Sequence, residues 1–205
     1  MKKSGALPRL VLVGDVAVEF VDPKKQMKTI APYFRESAIA FCNCKWPLSD
    51  RGAPWPGKAG RVVRSAPEKI ETYAYCGFNV VTLANNHIMN FGPEGLLQTI
   101  EILDANGIKH CGAGKNLEEE HRPAIVEWKE TKIAVLGYTS VFTAGFETGK
   151  NKPGMAVIRT EVLDVDRGRS CMEWLARMSR LHGTSWKIRD GAGEPVAKGG
   201  KAFFV

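Results

Sequence analysis

The sequence lacks the features that would take it out of the class of ordinary folded domains. No apolar run approaches the roughly 18 residues that a membrane span requires. The stretch Met1-Lys2-Lys3-Ser4-Gly5-Ala6-Leu7-Pro8-Arg9 enters a core-like strand without the apolar segment of a secretory leader, so a cytoplasmic location is expected. Internal repeats and low-complexity tracts are missing, which excludes solenoids and compositional linkers. Cysteine is sparse: there are five, an odd number, with only Cys42 and Cys44 close together, so a disulfide framework is not expected. The 29 Lys and Arg exceed the 22 Asp and Glu, giving +7, but they never condense into a run. Nucleic acid is therefore not expected as a partner, whereas diffuse positive charge suits acidic polymers and phosphorylated ligands.

What remains is a chain of 205 residues, 44% apolar, long enough to bury a sizeable core. Strand and helix signals alternate over the first 140 or so residues. Leu10-Val11-Leu12-Val13 reads as a strand covered on both faces, ending at Gly14-Asp15. A helical stretch spans about 24–36, and a second strand, Ala38 to Cys42, stops at Asn43. Ser65 and Glu68 stand at capping-box spacing before a helix over about 66–76, which Gly77 closes. Phe78 to Leu83 is a third strand, running into Ala84-Asn85-Asn86-His87. Gly92-Pro93-Glu94 opens a helix that Gly107 closes, and Ile108 to Cys111 is a fourth strand. After a Gly-rich turn at 112–114, segments 124–128 and 132–138 read as two strands joined by a tight turn and extending the sheet. These expectations give a domain over 1–160 and a divergent tail over 161–205. The tail carries one helix, with Met172, Leu175, Met178 and Leu181 at threefold spacing.

Three consecutive strands end in polar residues: Asp15 after the first, Asn43 after the second, Asn86 and His87 after the third. In open α/β sheets ligands bind at the carboxyl ends of the strands, so these side chains are expected to converge. A carboxylate, two amides and an imidazole form a mixed oxygen and nitrogen donor set, suited to Mn, Fe, Zn or Mg rather than to a thiolate-loving ion.

The same residues resemble the CapA, or poly-γ-glutamate capsule synthesis, family, itself similar to the calcineurin-like metallophosphatases. The family pattern has Gly-Asp after strand one, Asn-Leu-Glu with a following Pro-Leu after strand two, and then Ala-Asn-Asn-His-x-x-Asp-x-Gly. A Gly-Leu-x-x-Thr-x-x-x-Leu helix follows. Here these read Gly14-Asp15, Asn43-Cys44-Lys45-Trp46-Pro47-Leu48, Ala84 to Gly92, and Gly95-Leu96 with Thr99 and Leu103. The resemblance covers about residues 9–140. It implies an α/β fold, a mostly parallel βαβ sheet layered with helices, like the N-terminal half of an αββα sandwich. It also implies a metal-dependent phosphoesterase-like hydrolase acting on a phosphoester, or a protein handling an acidic polymer. Asp15, Asn43, Asn86 and His87 would hold metal. Asn86 would alternatively orient phosphoryl oxygens and His87 act as general acid, while Lys45, Arg51 and Asn85 would contact substrate.

Two anionic positions of the pattern are replaced, by Lys45 for Glu and by Asn90 for Asp. An ammonium repels a cation at short range, so at most one divalent metal is expected. The later His-Trp-Gly and Gly-His-His-Pro-His-like segments of the family have no counterpart here, so the chain resembles a truncated or frame-shifted member of reduced or lost activity. The alternative is a non-catalytic module for an acidic polymer, using the loop 45–64 with Lys45, Arg51, Lys58, Arg61, Arg64, Trp46 and Trp55.

Overall fold

The computed structural model describes residues 9–19, 22–57, 60–159 and 201–204. Two compact units divide the chain, Met1–Ile158 with Ala202–Val205, and Arg159–Lys201. The helix expected at 170–182 lies outside the described residues.

Four strands form a parallel sheet in the order β1 (Leu10–Val16), β2 (Ile39–Cys44), β3 (Val80–Thr82), β4 (Lys109–Cys111). β2 and β3 are near-continuous apolar runs because both of their faces are covered. On one side, Ala40, Cys42, Val81 and Leu83 pack against residues of α2 (Ala31–Arg35), α3 (Ile70–Cys76) and α4 (Gly92–Ala105). On the other, Ile39, Phe41, Val80 and Cys111 pack against Ala124, Val126, Ile133 and Val135. The last four come from an antiparallel hairpin, β5 (Ala124–Trp128) and β6 (Thr131–Leu136), beside which lies β7 (Lys201–Phe204). Here the outcome departs from expectation: the hairpin stacks on the parallel sheet and does not extend it. Its alternation provides a single apolar face, and stacking is what covers that face.

Other local departures have identifiable causes. The stretch 24–36 is two short helices, α1 (Pro23–Met27) and α2, because Pro32 has no N–H for Lys28 and starts a helix of its own. Ser65 does not cap α3. Its hydroxyl donates to Val18 O at 2.8 Å, and a 3-10 turn at Pro67–Lys69 leads into the helix. Gly77 does close α3, at φ 83°, a left-handed conformation that favours glycine. β1 is an edge strand rather than a covered one, with Leu12 exposed. The Gly-rich turn includes a two-residue strand, Ala113–Gly114, paired with Gly154–Met155.

Cys42, Cys44, Cys76 and Cys111 are buried and unbridged, and Cys171 lies outside the described residues. Burial pushes the Cys44 thiol up to about 11 and the Cys111 thiol to about 12, so both stay protonated and inert. Among the described residues, no helix is long and apolar enough to cross a membrane.

Candidate functional site

β1 carries one extra residue between Leu12, opposite Phe41, and Asp15, opposite Asn43. This bulge continues the strand through Gly14 and brings Asp15 level with Asn43 on β2. Tyr73 of α3 holds the end of β1 from beneath, its hydroxyl donating to Val16 O at 3.0 Å.

At this level the tips of the first three strands are joined by side chains. Asn43 donates its amide to Asp15 Oδ1 at 2.7 Å. Lys45, just past β2, places its ammonium 2.9 Å from Asp15 Oδ2. Burial raises the Asp15 pKa, but hydrogen bonds from Lys45 and Asn43, with the electrostatic influence of Lys45 and His87, outweigh it and hold the carboxyl below its ordinary value. Asn85, which follows β3 and is 4% exposed, donates to Asn43 Oδ1 at 2.9 Å and to Cys44 O at 2.8 Å. Its own Oδ1 accepts from the backbone N–H groups of His87 and Ile88, at 2.9 and 3.1 Å. Asn85 thus ties β2 to the turn that carries Asn86 and His87, both half-buried. His87 Nδ1 lies 3.1 Å from the amide nitrogen of buried Asn90. Arg51 is committed elsewhere, to Glu101 on α4 at 2.9 Å.

The family model described as bacterial capsule synthesis protein PGA_cap matches residues 4–180. The chain belongs to this capsule synthesis family. Curated relatives agree. The capsule biosynthesis protein CapA of Bacillus anthracis is 26% identical over 136 residues, which is 65% of this chain and 33% of the relative. The PGA biosynthesis protein CapA of Bacillus subtilis is 26% identical over 159 residues, 73% of this chain and 42% of the relative. A probable polyglutamine synthesis accessory protein of Mycobacterium tuberculosis is 30% identical over 100 residues, 47% of this chain and 26% of the relative. The chain thus spans about a third of the length of the first of these.

In this capsule-family chain the side-chain oxygens of Asp15, Asn43 and Asn85 are already engaged. Both Asp15 oxygens face an ammonium and an amide N–H, and the Asn43 and Asn85 oxygens accept from protein donors. Among the described residues, no three His, Cys, Asp or Glu side chains gather where they would hold a metal ion. A divalent cation would have to displace these protein donors from Asp15 and Asn43, since it needs oxygen or imidazole lone pairs and anionic charge.

The loop after Lys45 is anchored as well as basic. Trp55 packs edge-on against Phe146 at 5.5 Å, and its backbone N–H donates to Asn90 O at 2.8 Å. Gly52, at φ 79°, backs onto the Phe91 carbonyl so closely that a Cβ would collide with it. Gln98 of α4 accepts from the Ser49 hydroxyl at 2.5 Å and from the backbone N–H groups of Asp50 and Arg51. Arg61 lies over Trp46 at 5.6 Å and pairs with Glu19 at 3.0 Å, and Arg64 lies over Phe91 at 4.3 Å. Lys58 lies outside the described residues. The roles of Gln98, Tyr73 and the Val63 carbonyl, which accepts from Asn90, were not read from the sequence. They are contacts across long sequence separations, and no short spacing encodes them.

Proposed function

We propose that this chain binds an acidic polymer of the poly-γ-glutamate type at the strand tips, without metal, and that it does not hydrolyse phosphoesters. One observation carries the reading: the Lys45 ammonium sits 2.9 Å from Asp15 Oδ2, in the position beside the carboxylate that a cation would take. An ammonium has three N–H donors, and Asp15 uses one, which leaves capacity for a carboxylate oxygen of the polymer. Arg64 over Phe91 and Arg61 over Trp46, the latter paired with Glu19 at 3.0 Å, add positive charge on the same loop, and net charge of +7 raises the local concentration of a polyanion. The printed names of the relatives, with their capsule, PGA and polyglutamine synthesis, supply the class of polymer. The phosphoesterase ancestry implied by the motif resemblance enters as the origin of the strand-tip geometry, with its cation site now closed by Lys45.

The test is calorimetric titration of the purified chain with poly-γ-glutamate, with and without chelator and at low and high salt. Binding should resist chelation, weaken with salt, and be lost in Lys45→Met while the thermal transition is retained. Chelator-sensitive hydrolysis of an aryl phosphate, abolished by Asp15→Ala, would overturn the proposal.

A further inference from the structure

Asn90 is fully buried three residues beyond His87, and its amide nitrogen is shared between two acceptors. Nδ2 lies 3.1 Å from Val63 O and 3.1 Å from His87 Nδ1. A backbone carbonyl can only accept, so Val63 determines which end of the amide is nitrogen. Turning the amide over would set oxygen against oxygen at Val63 and would keep the His87 contact only with the ring proton moved to Nδ1; the orientation that satisfies Val63 leaves Asn90 Oδ1 buried without a hydrogen-bond partner. The backbone cannot easily shift to relieve this, because Asn90 N donates to His87 O at 2.9 Å and Asn90 O accepts from Trp55 N at 2.8 Å. With the nitrogen fixed, its second N–H meets Nδ1, which can answer only with a lone pair. A neutral imidazole with an unprotonated Nδ1 carries its proton on Nε2.

We propose that Asn90 is a positioning residue that holds His87 as the Nε2–H tautomer, making the ring a hydrogen-bond donor to an oxyanion, either carboxylate or phosphate, instead of a lone-pair donor. The ligand half of this inference rests on the anion-binding reading above, and the tautomer half does not. A carboxylate at position 90 would have the opposite effect, accepting from Nδ1–H and leaving Nε2 unprotonated. The single exchange of an amide for a carboxylate therefore sets whether this histidine offers a proton or an electron pair.

The experiment is long-range proton–nitrogen NMR on the full chain with labelled histidine and asparagine, near neutral pH. The expected result is an unprotonated Nδ1, a protonated Nε2, and a through-hydrogen-bond nitrogen–nitrogen coupling between Asn90 Nδ2 and His87 Nδ1. Asn90→Asp should move the proton to Nδ1. A wild-type ring protonated on Nδ1 overturns the tautomer assignment whether or not that variant folds, and leaves the polymer-binding reading standing. A γ-linked glutamate oligomer and inorganic phosphate are then added separately. A shift of the Nε2 resonance with either supports the donor role and says which oxyanion it serves. If the tautomer is as stated and neither probe moves Nε2 while calorimetric binding of the oligomer persists, the donor role fails and the Lys45 reading stands; if that binding is absent as well, both fail.

Discussion

Lys45 and Asp15 meet at 2.9 Å across the tips of two adjacent parallel strands, one residue past the end of β2 and one before the end of β1. Asp15 is half exposed, so the pair contributes only about 0–1 kcal/mol to stability, and its importance lies in charge rather than in folding. Lys45→Glu replaces the ammonium with a second carboxylate. The Asp15 pKa should then rise, because its nearest opposite charge has become a like one. Manganese affinity should appear in calorimetry where the wild type shows little, and poly-γ-glutamate binding should fall by at least tenfold. A variant that binds manganese no better than the wild type would show that Lys45 is not what closes the cation site.

A depressed Asp15 pKa also makes a statement about acid stability. The folded value lies below the unfolded one, so the stabilisation is fully present above about pH 4 and is lost as pH falls through the lower folded value. Asp15→Asn removes the titrating group and should flatten this part of the acid-unfolding profile. Because the carboxylate is half exposed, the gap between the two proteins at neutral pH should be only about a few tenths of a kcal/mol. Denaturant midpoints measured through the acid range check this. A gap that widens toward low pH would contradict the assignment.

Glu120 predicts the opposite sign. It ends the short helix Leu117–Glu120 and is buried at 6% exposure, with His121 Nε2 3.3 Å from Oε1. Burial raises its pKa, and the neighbouring Thr148 hydroxyl offsets part of the rise. A carboxyl with a raised folded pKa is most favourable when protonated, so its contribution is lost as pH climbs through the folded value. Glu120→Gln should therefore raise the denaturation midpoint near pH 7, and the advantage should vanish in acid, where both side chains are neutral. Equal midpoints at every pH would mean that His121 and Thr148 already compensate the charge.

Much of this architecture could be read from residue patterns. The apolar runs of β2 and β3, the Pro and Gly signals around α4, and Gly77 behind α3 each reflect a local backbone requirement, and each element formed there. The approach of Asp15 to Asn43 was also legible, since strand tips in a parallel sheet share one edge. What sequence pattern could not supply was geometry fixed by distant partners. The bulge in β1 has no marker beyond Gly14, and the hairpin's stacking depends on a sheet face assembled from β2, β3 and β4. Ser65 and Glu68 fit a capping box by spacing, yet the Val18 carbonyl, 47 positions away, took the hydroxyl. The orientation of the Asn90 amide was likewise set by Val63, 27 positions away.

Asn85 shows how much of the site depends on one buried amide. Its nitrogen serves Asn43 Oδ1 and Cys44 O, and its oxygen serves two backbone N–H groups, so every polar atom of the side chain is engaged. Asn85→Ala leaves the Cys44 carbonyl and the His87 and Ile88 N–H groups without these partners. Each stranded buried group costs about 1–3 kcal/mol, so a loss above about 3 kcal/mol is expected. Asn85→Asp keeps the acceptor for the two N–H groups but turns the other oxygen toward Asn43 Oδ1 and Cys44 O. As a carboxylate it repels both; once protonated it can donate to one of them, so its folded pKa should be raised. The stability of Asn85→Asp should then recover as pH falls, whereas Asn85→Ala should show no such recovery. Denaturant midpoints of both variants near pH 7 and near pH 5 decide the matter. Parallel pH profiles would show that the donor half of this amide does not hold the β2 tip to the His87 turn.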